Sequence, residues 1–253
     1  MRILLACLIP GALLFQASAR DDYEIQVYAA ETVAAGRTMV ELHSNFTPQG
    51  ERDQVNGVLP SHHALHETVE ITQGFTSWFE TGFYVFTSVQ PYNGWRWAGD
   101  HIRPRVRIPE EWHWPLGLSL STEIGYLGRS FSEDTWSWEL RPIIDKEWGR
   151  WYFALNPALE KSLSGLNSSA GFAFAPSAKV GFKVSELINV GVEYYASVGD
   201  LLHFDKWNAQ QHQIFPVVDL DLGADWEFNF GVGFGLTKST DELVVKMILG
   251  HRF

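Results

Sequence analysis

From residue 37 onward, apolar and polar side chains alternate in segments of roughly ten residues, separated by runs rich in Gly, Pro, Asn, Asp and Ser. Side chains of a strand point to opposite faces with period two, so each segment carries one apolar and one polar face. The pattern predicts twelve strands, over 37–46, 63–73, 77–88, 100–108, 116–126, 135–145, 150–161, 172–184, 188–197, 212–222, 225–236 and 242–253. After residue 19 no apolar run approaches the ~20 residues that a transmembrane helix needs, whereas strands of about ten residues suffice for a membrane barrel. The expected fold is therefore all-β, a transmembrane antiparallel up-and-down β-barrel.

The links between these strands alternate in length. Longer ones cover 47–62, 89–99, 127–134, 162–171 and 198–211; shorter ones cover 74–77, 109–115, 146–149, 185–187 and 223–224. Membrane barrels place long loops outside the cell and short turns in the periplasm, which fixes the orientation; only the outer link at 236–241 is short. Tryptophan agrees with this assignment. Trp78, Trp112, Trp114, Trp148, Trp151 and Trp226 fall at periplasmic strand ends, and Trp95, Trp97, Trp136, Trp138 and Trp207 at or beyond outer ends. Two aromatic girdles at headgroup level are the expected result.

The start of the chain reads as a leader. Met1 and Arg2 precede an apolar run from Ile3 to Phe15 and a small-residue site at Ala17-Ser18-Ala19, the arrangement of a secretory signal peptide. Residues 1–19 are expected to be removed, 20–36 to form a periplasmic N-terminal segment, either a loose arm or a plug, and 37–253 to form the barrel. Cys7 is the chain's one cysteine, so the mature protein would have no thiol chemistry. A formal net charge of −11 argues against nucleic acid and anionic headgroups as partners.

With the apolar faces turned to outer-membrane lipid, the other faces line the interior. On the fourth strand Ile102, Pro104, Val106 and Ile108 point out, leaving His101, Arg103, Arg105 and Arg107 as a basic ladder. Glu123, Glu139, Arg141, Glu193, Asp219 and Asp221 are the other candidate pore-lining residues. Two readings of the ladder are open. Its arginines either pair with Glu80 and Glu123 and fill the barrel, or face Asp219, Asp221 and Glu193 across a wet lumen that selects solutes. Pro104 within a paired strand predicts a local irregularity.

Catalysis and metal binding find less support. A nucleophile and base two residues apart on one strand face would give a His-x-Ser pair, and none of the nine histidines has Ser at that spacing. His43 and Ser44 are adjacent and point to opposite faces. His62, His63 and His66 with Glu70 form a cluster, but an extended chain holds His62 and His66 about 13 Å apart, too far for one ion. No catalytic residue, metal ligand or cofactor is assigned.

The closing segment, Leu243-Val244-Val245-Lys246-Met247-Ile248-Leu249-Gly250-His251-Arg252-Phe253, resembles the last strand of bacterial outer-membrane barrels. That resemblance implies that Phe253 is a signal read by the barrel-assembly machinery. With the block Leu140-Arg141-Pro142-Ile143-Ile144-Asp145-Lys146-Glu147-Trp148-Gly149-Arg150-Trp151-Tyr152, the chain is similar to the group containing the phenol-degradation-pathway (MetA-type) outer-membrane barrels. The resemblance implies an outer-membrane location and uptake of a small solute, through a channel or facilitated-diffusion porin. The alternatives are a closed structural or surface-binding barrel, using outer loops such as Pro91-Tyr92-Asn93-Gly94-Trp95-Arg96-Trp97, and, less favoured, a membrane-embedded hydrolase.

Overall fold

The computed structural model describes residues 23–91 and 93–253; the expected leader and its cleavage site lie outside them. Nine strands follow one another around a sheet: β1 (Thr38–Gln49), β2 (Leu65–Thr76), β3 (Phe79–Gln90), β4 (Gly94–Arg107), β5 (Gly117–Leu127), β6 (Asp134–Trp148), β7 (Trp151–Gly165), β8 (Ala173–Lys183) and β9 (Ile188–Ser197). A ribbon of two-residue strands, β10 (Gly199–Asp200) and β11 (His203–Phe204), stands in the next outer link. The sheet then resumes with β12 (Gln211–Asp221), β13 (Trp226–Gly235) and β14 (Leu243–Arg252). Every neighbouring pair is antiparallel, β9 pairs with both β8 and β12, and β14 returns to β1, closing a twelve-stranded barrel. At the seam Phe253 and Thr38 exchange backbone hydrogen bonds, and the Arg37 guanidinium donates to the Phe253 carbonyl at 2.6 Å.

The twelve long strands match the predicted segments closely, with one displaced start. β4 begins at Gly94 instead of residue 100, because the β3 register shifts where Ala98 is extruded between Trp97 and Gly99. A bulge of one residue reverses the in-out alternation, so a period-two reading loses the strand there. The irregularity expected at Pro104 is on its β5 side, where the ladder skips Arg103 and Pro104 between the pairs Ile102–Ile124 and Arg105–Ser121; on its β3 side Pro104 keeps step with Thr81.

Burial follows the pleat. On β1 Met39, Glu41, His43 and Asn45 are buried inside and Leu42 and Phe46 are exposed outside; on β3 Tyr84 and Phe86 are inside and Phe83 and Val85 outside. An exposed apolar belt of this kind is stable only against hydrocarbon, and exposed tryptophans ring both its rims, among them Trp78, Trp151 and Trp226 below and Trp95, Trp97 and Trp136 above. Val192, outward on β9 opposite Val180 and Pro216, tests the belt. Val192→Asp should cost up to about 2 kcal/mol in urea refolding into bilayers, since acids cost less there than the ~2–4 kcal/mol of Arg or Lys. Gln213→Asp, at a position lining the outer cavity, should cost far less; equal costs would reverse the two faces.

The segment from Tyr23 to Gly36 does not hang in the periplasm as a loose arm. Tyr23, Ile25, Val27, Tyr28, Ala30 and Val33 are all buried inside the barrel. Tyr23 packs beside His66, Phe86 and Phe131 in the outer half. Val33 donates its N–H to Glu80 at the periplasmic end of β3, so the segment descends the lumen before β1 begins. Gly36 makes the exit turn at φ +79, where glycine carries no Cβ penalty, and donates to the Gly74 carbonyl. Gly74 is equally constrained: a Cβ there would lie 2.3 Å from the carbonyl oxygens of Val33 and Ala34.

Candidate functional site

The candidate site is the lumen, which the descending segment divides. Its side chains seed three apolar clusters: Tyr23 with Tyr84, Phe86 and Leu127; Ile25 with Phe215, Val217 and Val244; and Tyr28 and Ala30 with Ile143. Its backbone is held by wall side chains. Asn156 makes two hydrogen bonds with Tyr28, from N–H to Oδ1 at 2.7 Å and from Nδ2 to the carbonyl at 3.1 Å. Asp145 accepts from Ala30 N–H, Thr68 donates to the Tyr23 carbonyl, and Lys246 donates to the Ile25 carbonyl. In effect the segment is an extra strand whose partners are side chains, which is how a buried backbone is satisfied without a ladder.

The basic ladder points inward at His101, Arg103 and Arg105, all buried, but its charges are met on their own wall. Arg103 lies 2.7 Å from Glu70 and 3.6 Å from Glu80, and is stacked over the Tyr28 ring at 4.4 Å. Arg105 reaches Glu80 at 2.7 Å and donates to the Ala29 and Glu31 carbonyls. Glu123 binds His101. Arg107 is at the periplasmic end, paired at 2.8 Å with Glu110 in the following link, so only part of the ladder faces the lumen.

The acids expected to oppose the ladder are likewise held by nearby bases. Glu193 contacts Lys246 and, at 3.1 Å, Lys179; Lys179 also holds Asp219 at 2.8 Å, and Asn229 donates to Asp219 at 2.6 Å. Lys246 is 0% exposed. Glu139 pairs with Arg141 at 2.9 Å, and Arg141 continues to Glu24 of the descending segment at 3.6 Å. Asp221 is exposed at the periplasmic rim, where it accepts from Gly223 N–H. Unpaired buried charges are expensive, and this pairing of opposite signs within each wall is what allows such density.

Among the described residues a cavity lies on each side of the segment, and Gln26 lines both. The outer one, about 360 Å³, lies under the links that follow β1, β5, β7 and β13. Among the described residues its lining includes eight carboxylates, Glu24, Glu51, Asp53, Glu133, Asp134, Glu160, Asp241 and Glu242, against two fixed cations, Arg141 and Lys238. Asp241 ties two of these links together by accepting from Ser61 Oγ at 2.7 Å and Glu51 N–H at 3.0 Å; burial nevertheless raises its carboxyl above the ordinary range. The inner cavity, about 920 Å³, opens between β1–β4 and β7–β13 and mixes arginines, lysines and acids more evenly.

Sequence patterning missed the lumen residues that the descending segment recruits, above all Glu24, Tyr28 and Asn156, and the inward pair Glu41 and His43. The alternation of Tyr23-Glu24-Ile25-Gln26-Val27-Tyr28 was the available signal. His62 and His63 stack on each other in the outer link, with ring centroids 4.0 Å apart, while His66 turns inward against Tyr23; the histidines do not converge. Ser44 faces outward and donates to Glu67, away from the buried His43.

No family model matches the chain, and no curated protein matches it by sequence. Solved structures do. The chain is similar to an outer membrane channel from Pseudomonas putida F1, with TM-score 0.59 and 11% identity over 91% of this chain and 100% of that one. It is also similar to the porin KdgM, with TM-score 0.55 and 7% identity over 85% of this chain and 99% of that one, and to the porin NanC, with TM-score 0.54 and 6% identity over 83% and 97%. At such identities the likeness is one of fold. It agrees with the closed barrel and its apolar belt: the fold is that of outer-membrane barrels.

Proposed function

We propose that the barrel is a channel for a small polar solute, neutral or cationic, that passes from the outer cavity to the inner one beside Gln26 when the Tyr23–Gly36 segment shifts. The observation that carries this reading is the pair of cavities meeting at one residue of that segment. The acidic outer mouth favours cations and repels anions by its summed field. An apolar aromatic cargo, which the phenol-pathway resemblance implies, would meet a cluster of carboxylates there.

Reconstitution into planar bilayers tests it. Single channels should be small and prefer cations, giving a reversal potential of the corresponding sign in a salt gradient. Converting Glu51, Asp53 and Glu133 to their amides should reduce that preference. So should acidification, to which Asp241 contributes at a higher pH than an ordinary aspartate because burial raises its carboxyl. A barrel that never conducts, or whose selectivity ignores these acids, would overturn the proposal.

The same reading assigns Phe253 to assembly. Its ring lies outward at the periplasmic rim against His251, which in turn meets Trp226, at centroid distances of 4.5 and 4.4 Å. Deleting Phe253 should lower the amount of heat-modifiable barrel in cells while secretion continues. Wild-type amounts would mean that the ring serves only interfacial packing.

A further inference from the structure

We propose that Glu41, His43 and Glu70 form a binding site for one first-row divalent cation, with zinc the best match, on the wall of the inner cavity. Glu41 and His43 are two apart on β1 and so share its inward face, and Glu70 on β2 is the register partner of Glu41. A carboxylate oxygen from each acid and a ring nitrogen of His43 all lie within 4.8 Å of one another. His43 Nε2 and Glu70 Oε2 are 3.5 Å apart, close to the ~3.4 Å that separates two ligands of a tetrahedral ion bound at about 2.1 Å. The Glu41 oxygen lies within 4.8 Å of both other ligand atoms, and an ion would draw it closer.

The hydrogen bonding points to the same place. Glu70 Oε1 is taken by Arg103 and by Thr72 Oγ1, both at 2.7 Å, while Oε2, turned toward His43, has no hydrogen-bond donor. Glu41 is 6% exposed and its Oε1 has no hydrogen-bond partner; His43 is 0% exposed and neither ring nitrogen makes a hydrogen bond, its Nε2 meeting Glu70 only as a long ion pair at 3.5 Å. Buried polar groups are nearly always satisfied, so three converging ligand atoms without donors mark a site for a positive species. Arg103 and Thr72 then act as outer partners that fix which Glu70 oxygen faces the ion, as the second shells of metal sites do. One imidazole with two carboxylates suits a borderline ion more than calcium or magnesium. Glu41 and Glu70 both line the inner cavity, which provides the approach and leaves room for a water as fourth ligand.

The site is tested on the refolded full barrel in detergent, by competing a chromophoric chelator for Zn²⁺ with Mg²⁺ in excess. One Zn²⁺ per barrel is expected, with Glu41→Gln and His43→Gln each weakening binding at least ~10-fold, since even outer-shell changes cost that much. The double variant His62→Ala/His63→Ala should bind as the wild type does. Absence of stoichiometric Zn²⁺ binding, or binding that survives both inward substitutions, or binding that is lost with His62 and His63, would overturn the proposal. Should the inward variants fail to become heat-modifiable, X-ray absorption of the wild-type zinc complex decides: one imidazole with oxygen ligands supports the site, and two imidazoles refute it.

Discussion

Deleting residues 23–33 while keeping the leader and the Gly36 turn should raise single-channel conductance several-fold. Twelve-stranded barrels are intermediate between eight-stranded ones filled by side chains and wide sixteen-stranded pores, and here the filling is the chain's own N-terminal segment. The deletion removes Tyr23, Ile25 and Tyr28 from their clusters, each worth about 1.5–3 kcal/mol of burial. The variant should therefore still close, at a lower melting temperature, because the strand ladder is untouched. Unchanged conductance would show that the segment is not the constriction. Gly74→Ala offers a milder version: its methyl would press on the Val33 and Ala34 carbonyls, and longer or more frequent openings are expected in an otherwise intact barrel.

Replacing Lys246 with Met should destabilise the barrel by about 3 kcal/mol or more, at the lower end of the ~3–5 kcal/mol range for breaking a buried pair. Lys246 meets Glu193, the Ile25 carbonyl and the Tyr195 hydroxyl in a place without solvent. Lys179 remains beside Glu193 and limits the loss. The double variant Lys246→Met/Glu193→Leu should recover part of it, because an apolar pair of similar volume often equals a buried ion pair. Denaturant titration in detergent measures both. A single variant as stable as the wild type would mean that water or the descending segment already neutralises Glu193.

Period-two alternation made the barrel legible, because the membrane imposes it on every strand independently of its neighbours. It lost the start of β4 at the Ala98 bulge, where the backbone itself changes phase. The interior was legible by face but not by partner. His101, Arg103 and Arg105 share the buried face that their parity gives them, yet Glu70 as the partner of Arg103 depends on how far β2 is displaced along β3, which a single strand's pattern does not encode. Arg107 and Asp221 failed for height: each has the inward parity but stands at the rim, where a turn partner, Glu110 or the Gly223 N–H, captures it. The descending segment was hardest to place. Its alternation is strand-like, but a strand paired with side chains leaves no register for the sequence to reveal.

The path of that segment also constrains the order of assembly. Tyr23 lies in the outer half of the lumen, and the chain reaches the periplasmic end only at Gly36, just before β1 pairs with β14. While the sheet is still open along that seam, residues 23–36 can be laid against the growing wall from the side. Once Thr38 and Phe253 have joined, the only route left is lengthwise threading past Arg103, Arg141 and Lys246. Closure of the β1–β14 seam should therefore come after docking of the segment, and a bulky folded domain fused just ahead of Tyr23 should stall the barrel as an open sheet, on the assembly machinery.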